Sequence, residues 1–375
     1  MKTTLLRYGK LNLLALASCA LLLASCSKND DEPLIDPVIE STAGVYVVSE
    51  GSYGAGNGDI AYYNLKTNTA EKNYYKKVNG TDLGETPNDL QRYGSKMYCV
   101  VSGIDGQTKS YVDVMNINTG KSIKRISFNS ATNGYLPRYI AFYKDKAYVS
   151  RYDGKISRID TASLNIDGEL DLKAPYLEGL AVANGKLYAA NSDYLLSGVN
   201  KVSVINLNSF SKTTDITVTQ NPTKVTASAD GNVYVICQGN YRDVSAELNV
   251  INSTNDSKIS IPAISGVDYG TSLTLAGSKG YISLTNASTF KSEIKSFTPG
   301  TPAVGSNFIT DGTSVGLLYG ITVDPFTGGV VVGDAVSYTS TSGKVYFYDY
   351  TGKRQFSFDT AVNPKTAVFV YTYKK

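Results

Sequence analysis

The chain has no histidine and no tryptophan, and its 375 residues include only four cysteines and three methionines. The missing histidine removes whole classes of chemistry. A Ser-His-Asp triad, a Cys-His dyad, a His-ligated zinc or iron and a haem with a histidine axial ligand are all excluded. Any general acid or base must be Asp, Glu, Lys or Tyr. Long apolar runs are also missing after residue 26, and so is any long segment with a 3.6-residue period. Charged residues make up only 18% of the chain. Outside the N-terminal segment only Cys99 and Cys237 remain, too few for a disulfide framework in a body of this size. Each follows a tyrosine on equivalent strands of distant repeats, so they are expected as separate buried thiols.

Residues 1–25 read as a targeting segment, to be set aside from the fold. Lys2, Arg7 and Lys10 form a basic start, and residues 13–24 form an apolar run too short to span a bilayer comfortably. Of the 36 basic residues, these three lie in a segment with no acids, so the rest of the chain balances at 33 of each sign. A neutral body has no global electrostatic drive toward nucleic acid, and none is expected as a partner. Leu23-Ala24-Ser25-Cys26 resembles a bacterial lipobox, which implies cleavage before Cys26 and a diacylglycerol on its thiol. Ser27-Lys28-Asn29-Asp30-Asp31-Glu32 resembles the lipoprotein export signal of Bacteroidetes. It implies a chain held on the outer face of the outer membrane by its lipid alone. The plainer alternatives are an ordinary secretory signal with an incidental cysteine, followed by a solvated acidic linker. On either reading residues 26–43, with Pro33 and Pro37, form an extended tether, and residues 44–375 form the folded body.

What the body has in abundance is tyrosine, 29 residues, and glycine, 34 residues. Short runs with period-two alternation, such as Val45-Tyr46-Val47-Val48 and Val233-Tyr234-Val235-Ile236, are rich in β-branched and aromatic residues, as strands are. One such strand recurs with its tyrosine at positions 46, 98, 148, 188, 234 and 281. A degenerate seventh copy is Gly329-Val330-Val331-Val332. An alternating strand follows each copy, usually ending in Asn or Asp and a turn. Another short strand precedes it, often opened by proline, as at Pro87, Pro137 and Pro222. Gaps of 40 to 52 residues with about four strands per unit predict an all-β, seven-bladed β-propeller. The first unit lacks its leading strand. The segment 364–370 supplies one, so the C-terminal strand is expected to complete the first blade and remove the free sheet edges.

The motifs with catalytic overtones fail on context. Gly312-Thr313-Ser314-Val315-Gly316 matches a nucleophile elbow but has neither a helix nor a histidine to serve it. Gly120-Lys121-Ser122 is half a phosphate loop at a strand-end turn. Gly54-Ala55-Gly56-Asn57-Gly58 precedes a strand, so it reads as a hairpin loop with positive-φ positions. No acid run has calcium-loop spacing. No catalytic residue, metal ligand or cofactor is expected.

In a four-stranded meander, the loops between the second and third strands leave on the same face as those joining successive blades. These loops carry Tyr53, Tyr152, Tyr194, Tyr241, Phe290 and Tyr338. The blade-joining segments add Tyr135, Tyr176, Tyr269 and Tyr319, and Arg138, Arg242, Asp89, Glu178 and Asp268 share the layer. Tyrosine offers a large, rigid, amphipathic surface at low entropic cost. A concave ring of such side chains suits a large ligand of mixed polarity. The expected binding residues are Tyr53, Arg138, Tyr152, Tyr176, Tyr194, Tyr241, Arg242, Tyr269, Phe290 and Tyr338. The bland alternative is that these tyrosines pack between blades.

The opening unit reads Val45-Tyr46-Val47-Val48-Ser49-Glu50-Gly51-Ser52-Tyr53, then Tyr62-Tyr63-Asn64, then Asn79-Gly80-Thr81-Asp82-Leu83-Gly84. It resembles Bacteroidetes surface lipoproteins with YncE-like seven-bladed propellers, among them the cobalamin-binding BtuG family. The resemblance spans the body in layout and is sharpest between residues 45 and 84. It implies a non-enzymatic receptor that binds cobalamin as cargo outside the cell and hands it to a TonB-dependent outer-membrane transporter. Two other functions stay open on the residues alone. One is a glycan-binding or glycan-cleaving propeller, where Glu50, Asp89, Glu178 or Asp268 would supply a carboxylate pair. The other is a protein-interaction scaffold.

Overall fold

The computed structural model describes residues 38–104, 109–129, 136–286, 289 and 291–374. The signal segment, Cys26, Tyr135 and Phe290 lie outside them. The repeats become seven antiparallel sheets of four strands each. The first blade runs outward from Pro364–Tyr373 through Ile39–Ser49 and Asp59–Asn64 to Thr69–Glu71. The inner strands of the next six blades are Pro87–Tyr93, Pro137–Tyr143, Leu177–Ala183, Pro222–Ala227, Leu273–Ala276 and Leu318–Val323. Each inner strand contacts those of the flanking blades, and the ring closes where the seventh blade meets Pro364–Tyr373.

Blade stacking explains the sequence pattern. The second strand of a blade is covered on both faces by its neighbours. Lys96–Val101 and Asn232–Cys237 are therefore buried almost throughout and read as continuous apolar runs. The outermost strands, such as Ser122–Ser127, are mostly exposed and polar. All six repeat tyrosines are buried on second strands, and Val331 fills the same register position in the seventh. These tyrosines are structural. Cys99 and Cys237 are buried free thiols in separate blades. In every blade but the sixth, an Asn or Asp at the end of the third strand folds the next turn with its own carboxyl or amide oxygen. Asn64 accepts from the amides of Lys66 and Thr67, and Asn116, Asp160, Asn206 and Asp349 repeat the device.

Closure joins Val45 to Phe369 and Val47 to Ala367 in antiparallel register. Thr42 and Tyr371 of the first blade both donate to the buried Asp324 of the seventh, at 2.8 and 2.7 Å. Gly320 lets the seventh blade's inner strand lie against the first blade's, because a Cβ there would fall on the carbonyl of Lys365. Pairing begins at Ile39, so the last residues assigned to the tether are already strand. A short helix not foreseen in the sequence, Tyr74–Asn79, follows the first blade. Six residues are too few for propensity to form a helix alone. Tertiary contacts hold it, since buried Tyr75 donates to Asp113 at 2.6 Å and Arg125 closes on the same carboxylate at 2.9 Å. Among the described residues no helix is long and apolar enough to cross a membrane.

Candidate functional site

Six inner strands share one irregularity. Pro87, Pro137, Leu177, Pro222, Leu318 and Pro364 each pair with the last residue of the next strand, and the register then slips. The bulge falls on Asn88, on Arg138 and Tyr139, on Glu178 and Gly179, on Thr223, on Tyr319 and on Lys365. A β-bulge bends the strand and re-aims side chains that strict alternation would place elsewhere. Here the bulges bring charged and polar groups together at one end of the propeller axis. They surround a cavity of about 510 Å³ lined by Arg138, Tyr139, Glu178, Thr223, Lys224, Tyr319 and Lys365, with Glu50 from the first blade.

The floor is a paired-charge network. Arg138 Nε lies 3.1 Å from Glu178 Oε2, and its guanidinium sits 4.9 Å above the Tyr152 ring. Tyr152 donates its hydroxyl to Glu178. Lys365 Nζ lies 3.8 Å from Glu50 and donates to Asn88 Oδ1 at 2.8 Å, while Tyr319 donates its hydroxyl to Glu50. Burial would push the Glu50 carboxyl up, but Lys365 and the Tyr319 hydroxyl override it and hold it below its usual value. Burial would likewise depress Lys365, and the Glu50 carboxylate reverses that and raises it. Lys224 behaves differently. Burial, and then repulsion from Lys365, brings its ammonium down to about 8. Beside this network but outside the cavity lining, burial lifts Asp89 to about 6.

Tyrosines form the walls. Tyr152, Tyr176 and Tyr194 make a cluster with ring centroids 5.4 to 6.4 Å apart, and Tyr241 and Tyr269 face each other at 6.5 Å. Tyr176 and Tyr241 adopt left-handed backbone, φ 62° and 59°; at Tyr176 this is the turn that opens the inner strand, shared with Thr86, Leu136, Asn221 and Asn363 in other blades. Local bonds hold both: Tyr176 N donates to Tyr152 O at 2.9 Å, and Tyr241 Oη donates to Gln238 at 2.7 Å.

Of the expected binding residues, Arg138, Tyr152, Tyr194, Tyr241, Tyr269 and Tyr338 line this cavity. Tyr176 packs behind Tyr152 and Tyr194 without lining it. Tyr53 and Arg242 do not line it either; Tyr53 is 82% exposed on the hairpin loop of the first blade. Phe290 lies outside the described residues. Sequence reasoning missed Tyr139, Lys224 and Lys365. The usable signal was the strand-opening proline, because Arg138, Thr223 and Lys365 each follow one directly.

The cavity can stack aromatic rings on a ligand and meet polar groups with fixed charges. Among the described residues no three His, Cys, Asp or Glu side chains cluster to hold a metal. Glu50 and Glu178 are committed to cations.

The likeness to solved structures concerns the fold. Hydrazine synthase of Kuenenia stuttgartiensis aligns with a TM-score of 0.58 at 14% identity, over 70% of this chain and 76% of that one. A chain of a mitotic checkpoint complex aligns with a TM-score of 0.56 at 11% identity, over 93% and 99%. The computationally designed Ika8 protein aligns with a TM-score of 0.51 at 14% identity, over 88% and 91%. No curated protein matches the sequence. The family model described as a domain of unknown function, DUF5074, matches residues 43–370, nearly the whole propeller, and the chain belongs to that family.

Proposed function

We propose that this chain is a lipid-anchored surface protein that captures a corrinoid in the axial cavity and passes it, unreacted, to a TonB-dependent outer-membrane transporter. The observation that carries this reading is the tyrosine-walled, polar-floored cavity on one face of the propeller. A corrin is broad and fairly flat, with apolar faces and amide side chains around its rim. Tyrosine rings suit the faces, and hydroxyls and fixed charges suit the amides. The cavity takes part of such a ligand, and exposed Tyr194, Tyr241, Tyr269 and Tyr338 around its mouth meet the rest. The resemblance of residues 23–32 to lipoprotein signals and of the first blade to BtuG-type propellers supplies the address and the cargo.

Binding without turnover is favoured over glycan cleavage by the state of the carboxylates. A glycosidase needs one carboxylic acid kept protonated beside an ionised partner. Glu50 is pushed the other way and Glu178 is tied to Arg138, while Asp89, the carboxyl that burial lifts, lies outside the cavity lining.

Calorimetry with cyanocobalamin tests the proposal. The wild type should bind at micromolar ligand or below. Tyr194→Ala, Tyr241→Ala or Tyr338→Ala should weaken binding about thirtyfold where it removes a central anchor, which corresponds to about 2 kcal/mol. No heat from the wild type would sink the corrinoid reading and turn attention to soluble polysaccharides. Tight binding left intact by all three changes would keep the ligand and move the site.

A further inference from the structure

The three cations on the cavity floor are not equivalent. Arg138 is matched by Glu178 and Lys365 by Glu50. A third acid of the lining, Asp193, is spent on its own loop, where it accepts from Ser197 and Gly198, and on Gln220 of the segment entering the fifth blade. Lys224 forms no ion pair among the described residues. Its ammonium donates to two neutral acceptors, the carbonyl of Thr271 at 2.7 Å and the hydroxyl of Ser272 at 3.0 Å. Three protons on the nitrogen and two bonds leave one donor over. A half-buried cation held by neutral groups alone still loses part of its hydration without an opposite charge to replace it. It is tolerated at a place where an anion completes it, and a charge-assisted bond in such a site is among the strong ones. Thr223 and Gln238 line the same cavity with further neutral polar groups.

We propose that Lys224 is an anion subsite of this cavity, binding a phosphodiester or carboxylate oxygen carried by the ligand. The proposal rests on the reading that the cavity is the binding site, not on the ligand being a corrinoid. The groups acting on Lys224 are Lys365 and Glu50 from the first blade, Glu178 from the fourth and Asp268 from the loop entering the sixth. Lys365 is held above the usual lysine range by Glu50 and keeps its charge where Lys224 titrates. An anion favours the charged form of Lys224 and raises its midpoint from the free value of about 8. Binding above that pH then takes up a proton, and affinity falls by about tenfold for each further pH unit until the bound-state midpoint is reached.

Two readouts on the full mature chain decide it. Lysine side-chain carbon-nitrogen NMR gives the Lys224 midpoint, with the signal assigned by its loss in Lys224→Arg, which keeps the charge. The midpoint is measured alone and with dimethyl phosphate, acetate, cyanocobalamin or dicyanocobinamide, the last lacking the phosphodiester of cyanocobalamin. Calorimetry compares the two corrinoids on the wild type, Lys224→Arg and Lys224→Gln. The subsite predicts a raised midpoint with dimethyl phosphate or acetate, and the stronger of the two names the anion. If corrinoids bind, it also predicts a preference for cyanocobalamin that Lys224→Gln cuts by about tenfold or more and Lys224→Arg retains. Corrinoid binding with an unmoved Lys224 midpoint would overturn the subsite and leave the corrinoid reading intact. No corrinoid binding with a midpoint raised by either small anion would sink the corrinoid and keep the subsite. A midpoint unmoved by all four additions overturns the proposal outright.

Discussion

Replacing Lys365 by methionine should show how the floor of the cavity is held, with a pH signature that a mere packing defect would not give. Lys365 Nζ lies 3.8 Å from the Glu50 carboxylate, and each side chain keeps less than a fifth of its surface exposed. At an effective dielectric near 20, two unit charges at that separation attract by about 4 kcal/mol. The Lys365 ammonium no longer has to be desolvated in the variant, and Tyr319 still donates to Glu50. Against the 3–5 kcal/mol typical of breaking a fully buried pair, a loss of about 2–3 kcal/mol at pH 7 is expected. The sign follows from Glu50. In the wild type its folded value lies below its ordinary one, so it stabilises the fold above about pH 4.5, and this is lost as pH falls through the folded value. Without Lys365, burial dominates and raises Glu50, so the ionised carboxylate destabilises the fold as pH climbs through its unfolded value. The difference between variant and wild type should therefore be largest at pH 7 and shrink sharply near pH 3.5. Urea unfolding at both pH values measures it, and Glu50→Gln added to the variant should recover most of the loss at pH 7. An equal difference at the two pH values, or none at pH 7, would refute the electrostatic account of the floor.

Ending the chain at Asn363 removes the inner strand of the first blade. It exposes the backbone groups of Ile39–Ser49 and opens the ring beside the seventh blade, so the product should be insoluble or unfold at clearly lower urea. A soluble monomer with an unchanged midpoint would show that the closure is dispensable. Cys26→Ser should leave the protein without its lipid and release it from membranes. Continued partition with outer membranes, after peripheral proteins are stripped, would remove Cys26 as the anchor.

The fold was legible because its repeats carry the physics of stacked blades in plain view. A second strand buried on both faces must be apolar throughout and favours β-branched and aromatic residues. The strings around Tyr98, Tyr188 and Tyr234 therefore recur in register whatever else changes. The Asn or Asp at the end of six of the seven third strands is a local device, two or three residues long, and local devices survive in sequence. The helix at Tyr74–Asn79 was not legible, because Asp113 and Arg125, about 38 and 50 residues away, are what hold it.

The site divides along the same line. Tyrosines on loops between the second and third strands were readable as a set, because the meander sends those loops to one face. Tyr152, Tyr194, Tyr241 and Tyr338 do line the cavity. Tyr53 passed the same test and lies outside it, because loop membership fixes the face of the propeller and not the distance from its axis. The charged floor was hidden for a different reason. Period-two alternation assigns the residue after the opening proline to a blade face, and Lys365 read that way is an ordinary lysine on a closing strand. The register slip between Val48 and Ser49 is what turns it to the axis, and equivalent slips do the same for Arg138, Glu178 and Tyr319. A bulge leaves no composition of its own. Six strand openings in register nonetheless place one or two irregular residues each at the same height of the ring. Glu50 joins them there only because the strand from the far end of the chain completes the first blade. Closing the ring and assembling the charged floor are therefore one structural event, and variants of the closing strand should be read for both.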